Sequence, residues 1–367
     1  MSLYYSMPIR RVFQIWTVLE TAVAAAGLAG TSLAGLFLIP PAALAADYPQ
    51  AEITNGQIRA KICLPDAKNG FYRGTRFDWS GVICSLEYKG HNYYGPWFNR
   101  VDPKVHDFTY EGSEIVASPC SGTSGPVDEF GTDNRALGWD EAKPGGTFIK
   151  IGVGVLRKDD ANYDHVKLYE IVDPGKWTVK KNRDSVEFTQ ELTDPSSGYG
   201  YVYRKVVRLT RGKPEMVLEH SLKNTGQRAI KGTVYNHNFL VLDKQPTGPD
   251  FTIKLPFPIK ATRPPNKELA EVRGSQIVYL KPLENKQTVS VTVEGFSDSL
   301  KDTEIVIENT KVGAGMRITA DRPLAREPLW SIRTVLAMEP YFAMDIQPGS
   351  EFTWKNTYEY YTLAAKR

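Results

Sequence analysis

From about residue 50 onward, apolar and polar side chains alternate in short runs, with no stretch of sustained helical periodicity. The last run is the clearest. Phe352, Trp354, Tyr358 and Tyr360 fall on one face, while Glu351, Thr353, Lys355 and Glu359 fall on the other. A second run places Met216, Leu218, His220 and Leu222 together. Alternation with a period of two is the mark of strands that bury one face. Between the runs stand Asp173-Pro174-Gly175, Asp194-Pro195-Ser196-Ser197-Gly198, Arg211-Gly212-Lys213-Pro214, Asn224-Thr225-Gly226 and Gln245-Pro246-Thr247-Gly248. These are residues that fix or free φ as tight turns require. The pattern predicts an all-β protein built as a large antiparallel β-sandwich. Residues 100–147, rich in Gly, Pro and Asp, alternate least. They are expected to be long loops over one end of the sheets, where sites tend to be built.

The N-terminus reads differently. Arg10 and Arg11 precede a stretch without charge, Thr21 to Ala46, that ends Pro40-Pro41-Ala42-Ala43-Leu44-Ala45-Ala46. Ala43-Leu44-Ala45 fits the small-residue rule for signal-peptide cleavage. An uncleaved anchor is the alternative, since such a stretch is long enough to span a bilayer. Either reading places the body of the protein outside the cytoplasm, periplasmic or secreted. The expected organisation is a signal peptide over 1–46 and one β-sandwich domain over 47–367, with membrane contact only if the first segment is retained.

Charge is close to balance, at +3 for 367 residues, and no long basic stripe is present, so nucleic acid is not expected as a partner. The three cysteines, Cys63, Cys84 and Cys120, have no zinc-ligand spacing. Export permits a disulfide, and Cys63 with Cys84, on what read as consecutive strands, is the expected pair. No cofactor or metal is expected, although loop oxygens from distant segments could assemble a calcium site that a sequence does not reveal. Oligomeric state is left open.

Candidate chemistry gathers in two places. His237 lies on an alternating strand with Tyr235 and Phe239 on the same face, which could form an apolar wall beside it. Asp243, just beyond, could bind hydroxyls. Glu339 closes the apolar run Val335-Leu336-Ala337-Met338 ahead of Pro340. A histidine in a strand is more often structural than catalytic, and His220, on an otherwise apolar face, is expected to be a satisfied core histidine.

The segment Tyr235-Asn236-His237-Asn238-Phe239, then Pro246-Thr247-Gly248, then Leu255-Pro256-Phe257 resembles the aldose 1-epimerase family. So does Met338-Glu339-Pro340, followed by Gln347-Pro348-Gly349-Ser350-Glu351 and Thr357-Tyr358-Glu359-Tyr360. Gly81-Val82-Ile83-Cys84-Ser85-Leu86 is similar to the family's first core strand. The resemblance implies a galactose-mutarotase-like supersandwich with a sugar cleft, and interconversion of sugar anomers by general acid–base catalysis without a cofactor. It implies Glu339 as general base and His237 as general acid, a sugar ring apart across one pocket.

The chain departs from the family where a second, upstream histidine would help hold the sugar. The corresponding region, Ser124 to Gly131 and Gly138 to Glu141, has no histidine. Glu129, Trp139 and Arg100 are the candidates carried in its place. Gly70 to Trp79, rich in aromatics and arginines, is a candidate rim of the cleft. Two alternatives stay open on the same fold, a non-catalytic carbohydrate-binding protein and a polysaccharide lyase-like enzyme.

Overall fold

The computed structural model describes residues 48–131 and 136–364. The expectations about the N-terminal segment lie outside the described residues. Among the described residues are twenty-seven strands, two short 3₁₀ turns and no α-helix. No helix among them is long and apolar enough to cross a membrane.

The largest element is a ten-stranded antiparallel sheet. Its middle is formed by Ser185–Asp194, Tyr199–Leu209, Glu215–Asn224, Glu351–Thr362 and Ala314–Ala320, hydrogen-bonded in that order. Two of the turn clusters read from the sequence, Asp194 to Gly198 and Arg211 to Pro214, join the first three of these strands in succession. The alternation of Glu351–Thr362 is observed directly, with Trp354, Asn356, Tyr358 and Tyr360 buried and Glu351, Thr353 and Lys355 exposed.

Two smaller sheets pack on this large one and build the site. One is three-stranded, with Ile230–Phe239 in the centre between Gly125–Phe130 and Tyr341–Ile346. The other runs in the order Lys260–Arg263, Val289–Glu294, Glu327–Ile332, Val335–Met338. Inward residues of this second sheet, among them Val291, Leu329 and Met338, share a core with Leu218, Ile307, Met316 and Tyr360 of the large sheet. Phe130, Val234 and Phe342 of the three-stranded sheet pack on Tyr201, Leu222 and Trp354. Their odd-numbered neighbours, Val127, Tyr235, Phe239 and Tyr341, belong to a separate cluster on the opposite face, with Phe77, Trp79 and Trp97.

Gly125–Phe130 corrects the expectation of loops over residues 100–147. It is a strand buried at every position, so its sequence lacks the alternation that reveals half-exposed strands. Gly125 opens it at φ +73, where a Cβ would lie 2.6 Å from the Cβ of Ile83, so the close approach of the two strands needs glycine there. Ile58–Cys63 and Val82–Tyr88 do pair as consecutive strands, and Cys63 and Cys84 form the expected disulfide, with Cα atoms 5.9 Å apart. Cys120 is a buried thiol.

Candidate active site

Strand register explains how residues a hundred apart in sequence meet. Ile230–Phe239 pairs antiparallel with Tyr341–Ile346 as far as Tyr235↔Tyr341. An isolated bridge, Leu240↔Leu336, continues the same register on the other side of Pro340. Between these two points the register sets His237 opposite Glu339. Pro340 has no N–H to give to the ladder, and the side chain of Asn238 fills part of the gap by donating to the Met338 carbonyl at 2.8 Å. The result is a direct contact, His237 Nε2 to Glu339 Oε1 at 3.3 Å, with side chains only 5% and 11% exposed.

The expected spacing of a sugar ring between the two is therefore corrected. Residues opposite each other on adjacent strands hold their Cβ atoms about 4.5–5.5 Å apart, which leaves no room for a pyranose. Chemistry at an anomeric carbon does not need that room, because the hydroxyl and ring oxygens are bonded to the same atom.

His237 sits in an aromatic box. Phe239, two residues on, stacks on it at 3.7 Å between ring centroids, and Phe77 and Trp330 meet it edge-on at 5.6 and 5.7 Å. Its Nδ1 has no hydrogen-bond partner. Burial, reinforced by the nearby charge of Arg76, drives the imidazole well below its ordinary pKa. Glu339 goes the other way. Burial lifts its carboxyl from 4.5 to about 8, with Arg76 and Arg326 opposing and Glu129 assisting. A neutral imidazole beside a carboxylic acid is thus the favoured form at neutral pH, with the proton on Glu339. That is the inverse of the starting protonation implied by the resemblance.

Behind the pair lies a buried charge network. Glu129 accepts from Arg76 Nε at 2.8 Å, from the Tyr235 hydroxyl at 2.7 Å and from Lys150 Nζ at 3.2 Å. Burial alone would raise its pKa, but Lys150 and Arg76 hold it down at about 2. Arg76 also places Nη1 3.7 Å from Asp107 and stacks over the ring of Phe77 at 4.5 Å. Glu327, fully buried on the core face behind Glu339, has both carboxylate oxygens unpartnered. Burial first, and Glu339 second, push its carboxyl well up.

A cleft of about 230 Å³ opens over the pair. Among its lining residues are His237, Glu339, Phe239, Arg76, Trp97, Phe108 and Trp330, joined by His165, Arg263 and Arg326. It is smaller than the roughly 300–1,000 Å³ of a drug-sized site, and suits one small ring. Trp330 and Phe239 offer flat apolar walls beside the polar groups.

The other sequence candidates divide. Tyr235 is buried, stacked on Tyr341 at 4.3 Å, and reaches Glu129 rather than the cleft. Glu129 stands one layer behind Arg76. Asp243 is turned away, since its carboxylate accepts from the Asn92 backbone at 2.8 Å and pairs with His91 at 2.7 Å. Trp139 packs edge-on against Phe148, Tyr163 and Tyr169, beyond the residues that line the cleft. Arg100 lies on the surface among Asp102, Glu111 and Glu114. None of these last three lines the cleft, because nearby groups of matching chemistry already hold them. His220 is the satisfied core histidine expected, 3.0 Å from Asp128 and stacked on Trp354 at 4.4 Å.

His165 was missed. It reaches the cleft from the irregular segment between Gly154–Arg157 and Ile171–Asp173, where no periodicity marks a residue. Burial lowers its pKa, Glu129 opposing and Arg76 and Lys150 adding to the effect. A second histidine is therefore present in the cleft, delivered by a different stretch of chain from the one in which it was sought. Among the described residues no group of three or more metal-ligating side chains converges.

No family model matches this sequence, and no curated protein matches it. Solved structures do resemble it in fold. The Slr1438 protein from Synechocystis sp. PCC 6803 superposes with a TM-score of 0.50 at 10% identity, covering 86% of this chain and 96% of that one. A galactose mutarotase related enzyme from Lactobacillus acidophilus gives 0.49 at 11% identity, covering 87% and 99%. The aldose epimerase homologue from C. elegans gives 0.46 at 13%, covering 86% and 99%. At such identities the likeness is one of architecture, and function has to be argued from the site. The likeness that reaches a TM-score of 0.50 is to the Slr1438 protein, and it is one of fold.

Proposed function

We propose that the protein interconverts the anomers of a sugar by general acid–base catalysis, with His237 and Glu339 as the proton-transferring pair. The observation that carries this reading is their contact at 3.3 Å on the floor of a small, aromatic-walled cleft.

The protonation favoured by burial sets the order of events. His237 Nε2 takes the proton from the anomeric hydroxyl while Glu339 gives its proton to the ring oxygen. The bond between the ring oxygen and C1 breaks, and C1 becomes an aldehyde. Rotation about C1–C2 presents the other face of the carbonyl. The ring hydroxyl then adds to C1 and returns its proton to Glu339, while the imidazolium protonates the former carbonyl oxygen. The pair ends as it began, and no co-reactant is consumed. A positioned acid and base of this kind contribute typically ~10² to 10⁴-fold. Trp330 and Phe239 would pack against the sugar's apolar face, and His165 would hold a hydroxyl. The Cys63–Cys84 disulfide supports the further reading that the protein works outside the cytoplasm.

The test follows equilibration of pure anomers by NMR across a panel of neutral and charged pyranoses. At least one should equilibrate faster than in buffer, and Glu339→Gln and His237→Gln should each remove most of that acceleration. Variants as fast as the parent would overturn the catalytic reading and leave a carbohydrate-binding role.

A further inference from the structure

The cleft has a second polar end, away from the catalytic pair, and its chemistry is cationic. Strand pairing shows where it lies. Arg263 is opposite Thr292, Thr292 is opposite Pro328, and the backbone N–H of Glu339 donates to the Pro328 carbonyl at 2.9 Å. Arg263, Thr292, Pro328 and Glu339 thus form one row across the sheet. Three strand spacings separate the ends of the row, roughly 14 Å from backbone to backbone at ~4.8 Å each. That span is long enough to seat one pyranose between the two ends of the row.

Three observations point to a purpose for Arg263. The strand bulges between Ala261 and Arg263, and a bulge next to a site re-aims a side chain. The residue is exposed on its own strand and yet lines the cleft. Its side chain has no ion-pair or hydrogen-bond partner among the described residues. Arg326, whose guanidinium sits 5.2 Å over the Tyr341 ring, lines the same cleft. Among the described residues, none of the acids in or behind the cleft is paired with Arg263. Asp107 is held by Ser121 at 2.6 Å and faces Arg76, Glu129 is shared by Arg76 and Lys150, and Glu339 carries its proton at neutral pH.

We infer that the cleft selects a sugar bearing an anionic group at the end of the ring remote from the anomeric carbon, with Arg263 as the residue that recognises it. A planar guanidinium with several donors suits a carboxylate or a phosphate better than a neutral hydroxyl. The inference rests on the acid–base reading of the same cleft and deepens it by naming the substrate class.

The experiment compares kcat/KM for anomer interconversion of glucose, glucuronate and glucose 6-phosphate at fixed ionic strength. A charged sugar should exceed glucose by at least ~10-fold, the scale of one charge-assisted hydrogen-bonded contact. The two charged arms separate carboxylate from phosphate. Arg263→Gln should cut the charged-to-neutral ratio about tenfold, while Arg59→Gln, ion-paired to Glu52 on the surface, should keep it. The parent ratio should also fall as salt rises. Glucose turned over as fast as both charged sugars would overturn the inference and leave the catalytic reading standing. So would a ratio unaffected by Arg263→Gln. If no sugar is turned over, the catalytic reading fails, and calorimetric titration of the same three sugars decides the inference. Tighter binding of a charged sugar, lost in Arg263→Gln, supports it, and equal or absent binding overturns it.

Discussion

Replacing Glu339 by glutamine should make the protein more stable, by an amount that grows with pH. The carboxyl is lifted from 4.5 to about 8 chiefly by burial. Between those two values the folded chain keeps a proton on Glu339 that the unfolded chain has lost. The native state then binds more protons, so stability falls as pH rises through the window and levels off above it. At ~1.36 kcal/mol per pH unit, the full amplitude is about 5 kcal/mol. The side chain keeps 11% exposure at the floor of a cleft, and solvent there reduces the expected amplitude to about 2–3 kcal/mol. Glutamine keeps the shape and cannot ionise.

Urea unfolding of parent and Glu339→Gln at pH 5, 7 and 9 reads this directly, because the difference at one pH cancels every group the two proteins share. The curves should nearly coincide at pH 5, and the variant should lead by about 2–3 kcal/mol at pH 9. Catalysis should fall in the same variant by ~10² to 10⁴-fold, since an amide cannot cycle a proton. A difference that stays constant from pH 5 to 9 would refute the reasoning. So would a variant that loses ground as pH rises, because the carboxylate would then be ionised in the fold and held there by its partners.

Other outcomes follow from the same geometry. Trp330→Ala, removing an apolar wall of the cleft, should raise KM about tenfold and change kcat less, as steady-state kinetics would show. Arg76→Met should lower stability by ~3–5 kcal/mol in urea titration, because Glu129 would lose one of two buried cationic partners. A Cys63→Ser, Cys84→Ser double variant should lose about 3 kcal/mol, and reductant should destabilise the parent but not this variant.

The parts of this molecule that the sequence reveals are those where one strand face is buried and the other wet. Met216 to Leu222 and Phe352 to Tyr360 announce themselves by alternation, and the turns between them by Pro and Gly. Gly125–Phe130 does not, because both of its faces are covered. His237 and Glu339 stand out as polar residues in strand contexts otherwise apolar or aromatic, each beside a recognisable turn. Their contact depends on a register that Pro340 interrupts, and the sequence does not state it. Arg76, Glu129 and Lys150 come from three separate segments and meet only after folding. His165 carries no local mark at all. Asp243, Arg100 and Trp139 show the converse error, since each has the chemistry for a site and each finds other partners first.

The central strand sorts its polar residues by parity. Odd positions, Tyr235, His237 and Phe239, face the cleft side, while Asn236 and Asn238 face the large sheet. The asparagines act as clamps. Asn236 donates to Asp128 at 3.0 Å, Asn238 donates to the Met338 carbonyl at 2.8 Å, and the Tyr358 hydroxyl lies 2.6 and 2.8 Å from their two side-chain oxygens. Met338 directly precedes Glu339, so this web ties both strands of the catalytic pair to the large sheet. Tyr358→Phe removes the shared donor and leaves buried amide oxygens unsatisfied, a loss of about 1–3 kcal/mol. If the clamp also aligns His237 with Glu339, kcat should fall well below the parent's at a temperature where the variant is fully folded, with KM changed little. Unfolding at an earlier urea midpoint with kcat intact would show that the clamp holds only the fold, and that the pair keeps its own alignment through the aromatic box around His237.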